Sequence, residues 1–424
     1  MVEDKNFFSP FLMAALVCAA LMYTGIAPVK KRSPYRSLIL PEDTRFITGK
    51  VVSNPVKSSR TGSYACDFQP LSAVSRAGVL SECGGIISIV IPASSVEAFF
   101  PGKLYSSARN GSGFEGIICE KGALLEAEGM FSKDADVFRT KAVRQLPWES
   151  TLSGRITHFR ARCRLQFRKI VFYWNDAGGL FLALVSGSRD ATDKAVSDNF
   201  RKAGLSHILA LSGMHLSLFS GIAARFTKKK SVRNLKLFLQ FCITAVFVWF
   251  AGLSPSLFRA FLCSTVLLIC AAFRIKNVRM LDILSFSFLI HIILFPADAF
   301  KLSFQLSYGA LLGILLFSEL FTVLLIRIFP PTAAASLGAS SGAQVITAPL
   351  SVRVFGSFAP VGIVATAVVS PCVTFFIYAG LVCFALSFLL PFCAPATAFF
   401  MNLVYTVIVK TVRFFSAAPF FSFS

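Results

Sequence analysis

Residues 204–221 read GLSHILALSGMHLSLFSG, an apolar run close to membrane-spanning length that carries His207, Ser212, Gly213 and His215 among its leucines. Lipid offers no hydrogen-bond partners, so polar groups and broken backbone at membrane depth are tolerated only where they face protein or a water-lined cavity. Glycine is also among the weakest helix formers. The run therefore predicts a membrane helix interrupted at Ser212-Gly213, with its imidazoles turned toward a partner or a polar route.

Working outward, the rest of the chain supports a membrane setting. Of 424 residues, 55% are hydrophobic and only 15% charged, far more apolar than a soluble domain requires. Apolar stretches near the roughly 20 residues needed to cross a bilayer recur from Gly204 onward, at about 204–224, 237–253, 257–273, 280–296, 302–327, 333–352, 358–388 and 398–415. The formal charge of +21 is uneven: residues 204–424 hold 15 Lys/Arg against Asp282, Asp298 and Glu319. Residues 44–147 hold 12 Lys/Arg against nine acids and contain no such stretch.

Four parts follow: an N-terminal anchor and linker (1–43), a β-domain (44–150), a basic amphipathic helix with its connector (151–203), and a multi-helix domain (204–424). The anchor rests on FFSPFLMAALVCAALMYTGIA at 7–27, which is longer than a usual signal-peptide core. In the second part, RFITGKVV, GGIISIVIPA, KGALLEAEGMF and VFRTKAVRQL alternate apolar and polar residues between Gly, Pro, Ser and Asn turns, the pattern of a small five-stranded barrel. Any two of Cys66, Cys83 and Cys119 form the candidate disulfide if that domain lies outside the cytoplasm. The eleven cysteines and four histidines show no metal-ligand spacing, so neither a metal nor a cofactor is expected.

Between 151 and 173, Ile156, Phe159, Cys163, Phe167 and Ile170 recur at spacings of three and four, while Arg155, Arg160, Arg162, Arg164, Arg168 and Lys169 fill the remaining faces. Such a helix is expected to lie in a membrane interface and to attract phosphates. A basic helix packing its apolar stripe on the barrel is the alternative.

Loop charge sets the orientation. FTKKKSVRNLK (226–236) and RIKNVR (274–279) are basic, LSPS (253–256) and PADAF (296–300) are not, so the first pair is expected to be cytoplasmic. Gly204 and the β-domain then lie outside, although Lys30, Lys31 and Arg32 at the outer end of the first anchor oppose this. His207, Arg259 and Gln305 fall near one level, about a turn inside the outer surface, and His215 falls deeper. Charged residues at such depth usually face a cavity or partner. His207, Ser212, Gly213, His215, Arg259 and Gln305 are thus the candidate lining of a polar route, with helix-to-helix bonding as the bland alternative for the histidines.

At these residues the sequence resembles the ComEC/Rec2 family of competence proteins, through LFLALVSGSRD, FRKAGLSHILALSGMHLSLFSG, WFAGLSPSLFRAF, AFKLSFQLSYGALLGI and, more loosely, GAQVITAPLSVRVFGSFAP. The resemblance covers roughly residues 150–390 and implies a polytopic α-helical membrane protein with an N-terminal extracytoplasmic OB-like β-barrel domain. It further implies a bacterial cytoplasmic membrane channel that passes single-stranded DNA, served by a DNA receptor, a separate nuclease and a cytoplasmic motor, with a homodimer among the candidate assemblies. Longer members continue into a metallo-β-lactamase-like domain; no HxHxD-type motif occurs in this sequence, so no enzymatic activity is expected. Ser186-Gly187-Ser188-Arg189 only approximates the family's Gly-Asp-Arg turn. A secondary transporter of a small anionic solute and a non-transporting assembly scaffold are the rival readings.

The loop pattern generates a topology test. A membrane-impermeant thiol reagent added outside cells is expected to label Pro255→Cys and cysteines in the β-domain but not Lys230→Cys; labelling at position 230 reverses the orientation.

Overall fold

A computed structural model describes residues 9–24, 34–58, 62–96, 118–132, 136–226, 233–356 and 359–417. Lys30 to Arg32 and Lys228 to Lys230, used above for orientation, lie outside the described residues.

The N-terminal domain contains β1 (Arg36–Ser37), β2 (Thr44–Val51), β3 (Val56–Lys57), β4 (Tyr64–Ser75), β5 (Leu80–Gly84), β6 (Ile87–Ile91), β7 (Leu124–Phe131) and β8 (Val137–Gln145). Five of them close on themselves: β2 pairs β4 and β7, β4 pairs β6, β7 pairs β8, and β8 returns to β6. The β6–β8 pair is parallel and the others antiparallel, which is the five-stranded Greek-key arrangement of an OB-like barrel. The alternation seen in sequence explains the closure: Ile47, Phe68, Ile87, Ile89, Ile91, Leu125, Ala127 and Phe138 point inward and are buried, while intervening residues face out.

The helical domain is that of a multi-pass membrane protein. Its helices, with the anchor first, are α1 (Pro10–Tyr23), α2 (Leu152–Val171), α3 (Asn175–Ser186), α4 (Lys194–Lys202), α5 (Ser206–Leu209), α6 (Gly213–Phe226), α7 (Arg233–Ala251), α8 (Pro255–Ala272), α9 (Met280–Leu294), α10 (Leu302–Leu325), α11 (Pro331–Phe355), α12 (Gly362–Leu389) and α13 (Ala394–Ser416). Among the described residues, α7, α8, α10, α12 and the segment Pro391–Ser416 are long and apolar enough to cross a membrane. α1 and α9 are apolar but shorter. α11 is long but rich in Ala, Ser and Gly, and packs on α10 through Gly313, Gly338 and Gly342, where any side chain would meet the facing backbone.

α3 is a finding that the sequence did not announce. Its LFLALV run is too short to span, and residues Ala177 to Ser186 are buried between α2, α12 and α13, where Phe181 packs on Gly380 and against Phe376. The segment expected to be a connector is therefore the centre of the main core. At the other end of the molecule's helical bundle, Tyr23 of α1 donates its hydroxyl to Ala299 O at 3.0 Å and accepts from Gln305 Nε2 at 3.3 Å. These bonds set the end of the anchor at the 296–300 turn.

The two domains meet at α2. Its Arg160, Arg164 and Arg168 repeat every four residues and so share one face, which is turned inward. Arg164 is 3% exposed; its Nε donates to Glu120 Oε1 at 3.1 Å, and its Nη1 donates to Phe250 O at 2.8 Å and to Ala251 O and Ser186 O, each at 3.3 Å. Phe250 and Ala251 are the last residues of α7, whose carbonyls lack helical partners and carry the negative end of the helix dipole. Arg160 adds two longer bonds to Phe250 O, and its guanidinium lies within reach of Gly252, a residue with φ +100 that leaves the helix without a side chain in the way. Arg168 pairs with Glu120 at 3.5 Å and with Asp190 at 3.7 Å, and bonds Ser188 Oγ at 2.8 Å. One buried cluster thus fastens the barrel, α2, the turn after α3 and the end of α7.

Burial raises the Glu120 carboxyl, but the charges of Arg164, Arg168 and Arg160 outweigh it and leave the group below its ordinary value. Burial and the neighbouring Arg164 push Arg160 down to about 10, which still leaves it cationic at neutral pH. A carboxyl lowered in the folded state contributes stability that is present above its unfolded value, about 4.3 for Glu, and is lost as pH falls through the lower folded value. Glu120→Gln, which leaves buried guanidinium groups without their counter-charge, is expected to cost about 3–5 kcal/mol. Unfolding of the purified protein in detergent checks this, and the gap between wild type and variant should narrow below about pH 4.

Candidate functional site

The opening stretch does not form the single span expected at 204–224. Gly204, at φ +72, turns the chain against α12, where a side chain would meet Ala359 O and Gly362 Cα at 3.0 Å. α5 then makes one turn, Ala210 leaves the helical region at φ −84 and ψ 136, and α6 starts only at Gly213. The physical reason for the break is a cap. His215 Nδ1 accepts from Ser212 N–H at 3.2 Å and lies 3.3 Å from Ser212 Oγ. A side chain three residues into a helix that reaches back to the capping residue's N–H is the logic of a capping box, with imidazole in place of Glu. Because Nδ1 accepts, the ring proton sits on Nε2, which is buried and without a partner among the described residues.

Arg259 approaches the same break from α8. A Cβ placed on Gly213 would lie 3.6 Å from Arg259 Nη2. Arg259 Nη1 donates to Ser307 O of α10, while its Nε is buried and unpartnered. No ion pair to Arg259 occurs among the described residues. Ser307 Oγ, beside it, is also buried without a partner.

Ser212, Gly213, His215 and Arg259 therefore converge on one break. His207 and Gln305 do not join them. His207 is exposed and sits 3.5 Å from Thr366 Oγ1 on α12, and Gln305 donates to Ala299 O at 3.2 Å and to Tyr23 OH, bonds that tie α1 to the bundle. The single polar level expected for His207, Arg259 and Gln305 is not held by any hydrogen bond among the three in the described residues.

The basic helix requires a correction as well. Arg160, Arg164 and Arg168 are occupied by Glu120, Asp190 and main-chain carbonyls and offer no free charge to a ligand, whereas Arg155 and Arg162 are exposed and Lys169 half-buried. The helix buries its arginine face because acceptors wait there, and part of the apolar stripe instead faces out: Ile156 and Phe159 are exposed, with Phe159 stacked on Trp249, and Phe167 is buried. The described cysteines are all free thiols. Cys66 and Cys119 lie within hydrogen-bond reach of each other in the barrel, and that contact together with burial pushes the Cys119 thiol up; Cys83 adjoins Tyr35. No grouping of His, Cys, Asp and Glu able to hold a metal occurs among the described residues.

Sequence reasoning missed three features. Glu120 hides in an unremarked CEKG turn, and nothing local connects it to Arg164. A groove of about 720 Å³ runs along α11, lined by Phe321, Ser341, Gln344, Pro349, Arg353 and Ile363 among others, with Gln344 Oε1 unpartnered. His291, Asp298 and Tyr308 form a hydrogen-bonded chain beside Arg259; Asp298 was marked only as one of few acids in the helical domain.

The cap is testable by itself. His215→Ala leaves the Ser212 N–H without its acceptor and is expected to cost about 1–3 kcal/mol. His215→Gln keeps an acceptor on a chain of similar reach and should retain most of the stability. Thermal unfolding of both variants in detergent distinguishes them.

Comparison with known proteins places this geometry. A family model described as competence protein matches residues 184–424, which contain the broken stretch, Arg259 and all of α6 to α13. ComE operon protein 3 of Bacillus subtilis (strain 168) is 30% identical over 153 residues, 34% of this chain and 19% of that protein. The aligned stretch thus spans about a fifth of the length of the curated relative. No solved structure matches the chain. With more than half of its residues under that family model, including every element of the capped break, the chain belongs to the competence protein family.

Proposed function

We propose that this protein takes part in DNA uptake during transformation, as a channel that passes a single DNA strand across the bacterial cytoplasmic membrane. The observation that carries this reading is Arg259: a part-buried guanidinium set against a helix break, with one carbonyl partner and, among the described residues, an unpartnered buried Nε and no carboxylate. Arg259 lies near the start of α8, about a turn inside the proposed outer surface, where a charged side chain without a carboxylate partner among the described residues still carries an insertion cost. The cost is offset if the charge serves a passing anion, and a phosphodiester backbone presents one such anion per nucleotide. The non-helical residues 210–212 leave main-chain groups outside a regular helix, which membrane depth tolerates where protein or a polar route satisfies them.

The remaining parts fit around this. Exposed Arg155 and Arg162 supply long-range, sequence-independent attraction at the barrel side. The chain itself performs no reaction in this reading, so strand degradation and pulling fall to a separate nuclease and a cytoplasmic motor, with a DNA receptor delivering the strand and a homodimer as one assembly. A small-anion transporter shares the Arg259 argument; dependence of transport on strand length separates the two. A scaffold does not need Arg259 to be unpaired.

Uptake of labelled DNA into the cytoplasm, compared at matched protein levels, tests the role of Arg259. Arg259→Lys is expected to retain part of the uptake by keeping the charge, and Arg259→Glu to abolish it by repelling phosphate. Equal uptake by the two variants removes the electrostatic role.

A further inference from the structure

His291 is fully buried in α9 and bonded at both ring nitrogens: Nδ1 lies 3.2 Å from Tyr308 OH, and Nε2 lies 3.3 Å from Asp298 Oδ2. Tyr308 OH in turn reaches Ser287 O at 3.2 Å. A carbonyl can only accept, so the single phenolic hydrogen goes to Ser287 and the Tyr308 oxygen must accept from His291 Nδ1–H. A neutral imidazole then has a lone pair left on Nε2, aimed at a carboxylate oxygen that also has only lone pairs. Neutral His with ionised Asp supplies two hydrogens for three contacts, and a third hydrogen completes the chain.

The surroundings decide where that hydrogen resides. Asp298 Oδ1 pairs with Lys301 Nζ at 2.7 Å. Partial burial works against ionising Asp298, but hydrogen bonds from His291 and Lys301 and the Lys301 charge outweigh it and hold the carboxyl below its ordinary range. The imidazole is enclosed by the rings of Phe258 at 4.8 Å, Phe304 at 4.9 Å and Tyr308 at 5.8 Å, which leave Asp298 Oδ2 as the charged partner on its Nε2 side. The titratable and charged groups facing the site are Arg259 and Cys263 from α8, Asp298 and Lys301 from the turn, Tyr308 from α10 and Tyr23 from α1, whose hydroxyl sits on Ala299 O. His291 has no exposed surface, whereas the Asp298 side chain is 17% and Lys301 59% exposed, so the chain opens to water at its carboxylate end.

We propose that Asp298, His291 and Tyr308 form a proton-binding site in which one proton, entering from water at the Asp298 and Lys301 face, is held between His291 Nε2 and Asp298 Oδ2. The binding step forms one N–H bond from the Nε2 lone pair and breaks one O–H bond of hydronium. The bound proton adds the link from α9 to the 296–300 turn to the standing bond from His291 Nδ1–H to Tyr308 of α10. Ser307, the residue before Tyr308, is the one that holds Arg259. Proton occupancy therefore acts on the backbone that positions the unpaired guanidinium, whatever anion that guanidinium serves.

Nitrogen-15 spectra of histidine-labelled full-length protein in lipid nanodiscs at neutral pH test the site. The four histidines are assigned with His291→Gln or, if that variant does not accumulate, by elimination with His158→Gln, His207→Gln and His215→Gln. The expected result is that His291 carries hydrogen on both ring nitrogens, loses one in Asp298→Asn and keeps both in Asp298→Glu. A wild-type His291 with a single ring hydrogen overturns the proposal. So does a doubly protonated ring that is unchanged in Asp298→Asn.

Discussion

The contact between Arg164 and Glu120 is the constraint on which the arrangement depends. A guanidinium and a carboxylate, both almost wholly buried, balance each other's charge where the barrel closes onto α2. The pair does not act alone. Arg164 also receives the exposed carbonyls at the end of α7, so the same side chain that anchors the barrel terminates a membrane-spanning helix. Removing the negative partner would strand three arginines on one buried face. The barrel is consequently joined to the helical bundle by a buried polar contact at α2 as well as by the chain itself.

The helical core bears on the break at residues 210–212. α3, α5 and α12 share one core, and Gly204 against Gly362 brings the incoming chain onto α12 before the helix is interrupted. The interruption is held open from within by the His215 cap and faced from α8 by Arg259. The Ser-Gly-Met-His tetrapeptide thus does two jobs of local chemistry: His215 accepts from the Ser212 N–H, and Gly213, lacking a side chain, lets the Arg259 guanidinium approach the first turn. A larger residue at position 213 would occupy the space between α6 and α8.

Much of this was legible in the sequence, for reasons of periodicity. The alternating runs of the barrel carry a period of two that burial enforces, and α7, α8, α10, α12 and α13 show themselves by the length of their apolar runs. The break at Ser212-Gly213 was legible because glycine and a capping residue stand together. What was not legible depends on pairs far apart in the chain. The arginines of α2 look solvated in sequence because their acceptors are Glu120, 44 residues earlier, and carbonyls some 86 residues later, and main-chain carbonyls leave no signature at all. Gln305 and His207 were grouped with Arg259 by depth alone, and depth does not say which way a side chain points. α3 escaped notice because a short apolar helix inside a membrane protein resembles a connector until its neighbours cover it.

Two arginines packed among the helices of this fold, the buried Arg164 and the part-buried Arg259, show how a side chain's accounting separates structure from function. Both are guanidinium groups surrounded by helices. Arg164 makes bonds to a carboxylate and three carbonyls, a degree of satisfaction that leaves no capacity for a ligand and makes the residue costly to replace. Arg259 has one carbonyl, an orphaned Nε and a neighbouring serine hydroxyl that is itself unpartnered. Burial of an incompletely bonded charge is unfavourable in the resting protein. A residue that destabilises its own fold persists where a transient partner completes its bonds. Under the proposed function that partner is anionic, reaches the break between α5 and α6 and leaves again, as a phosphate on a passing strand would and a permanent salt bridge would not.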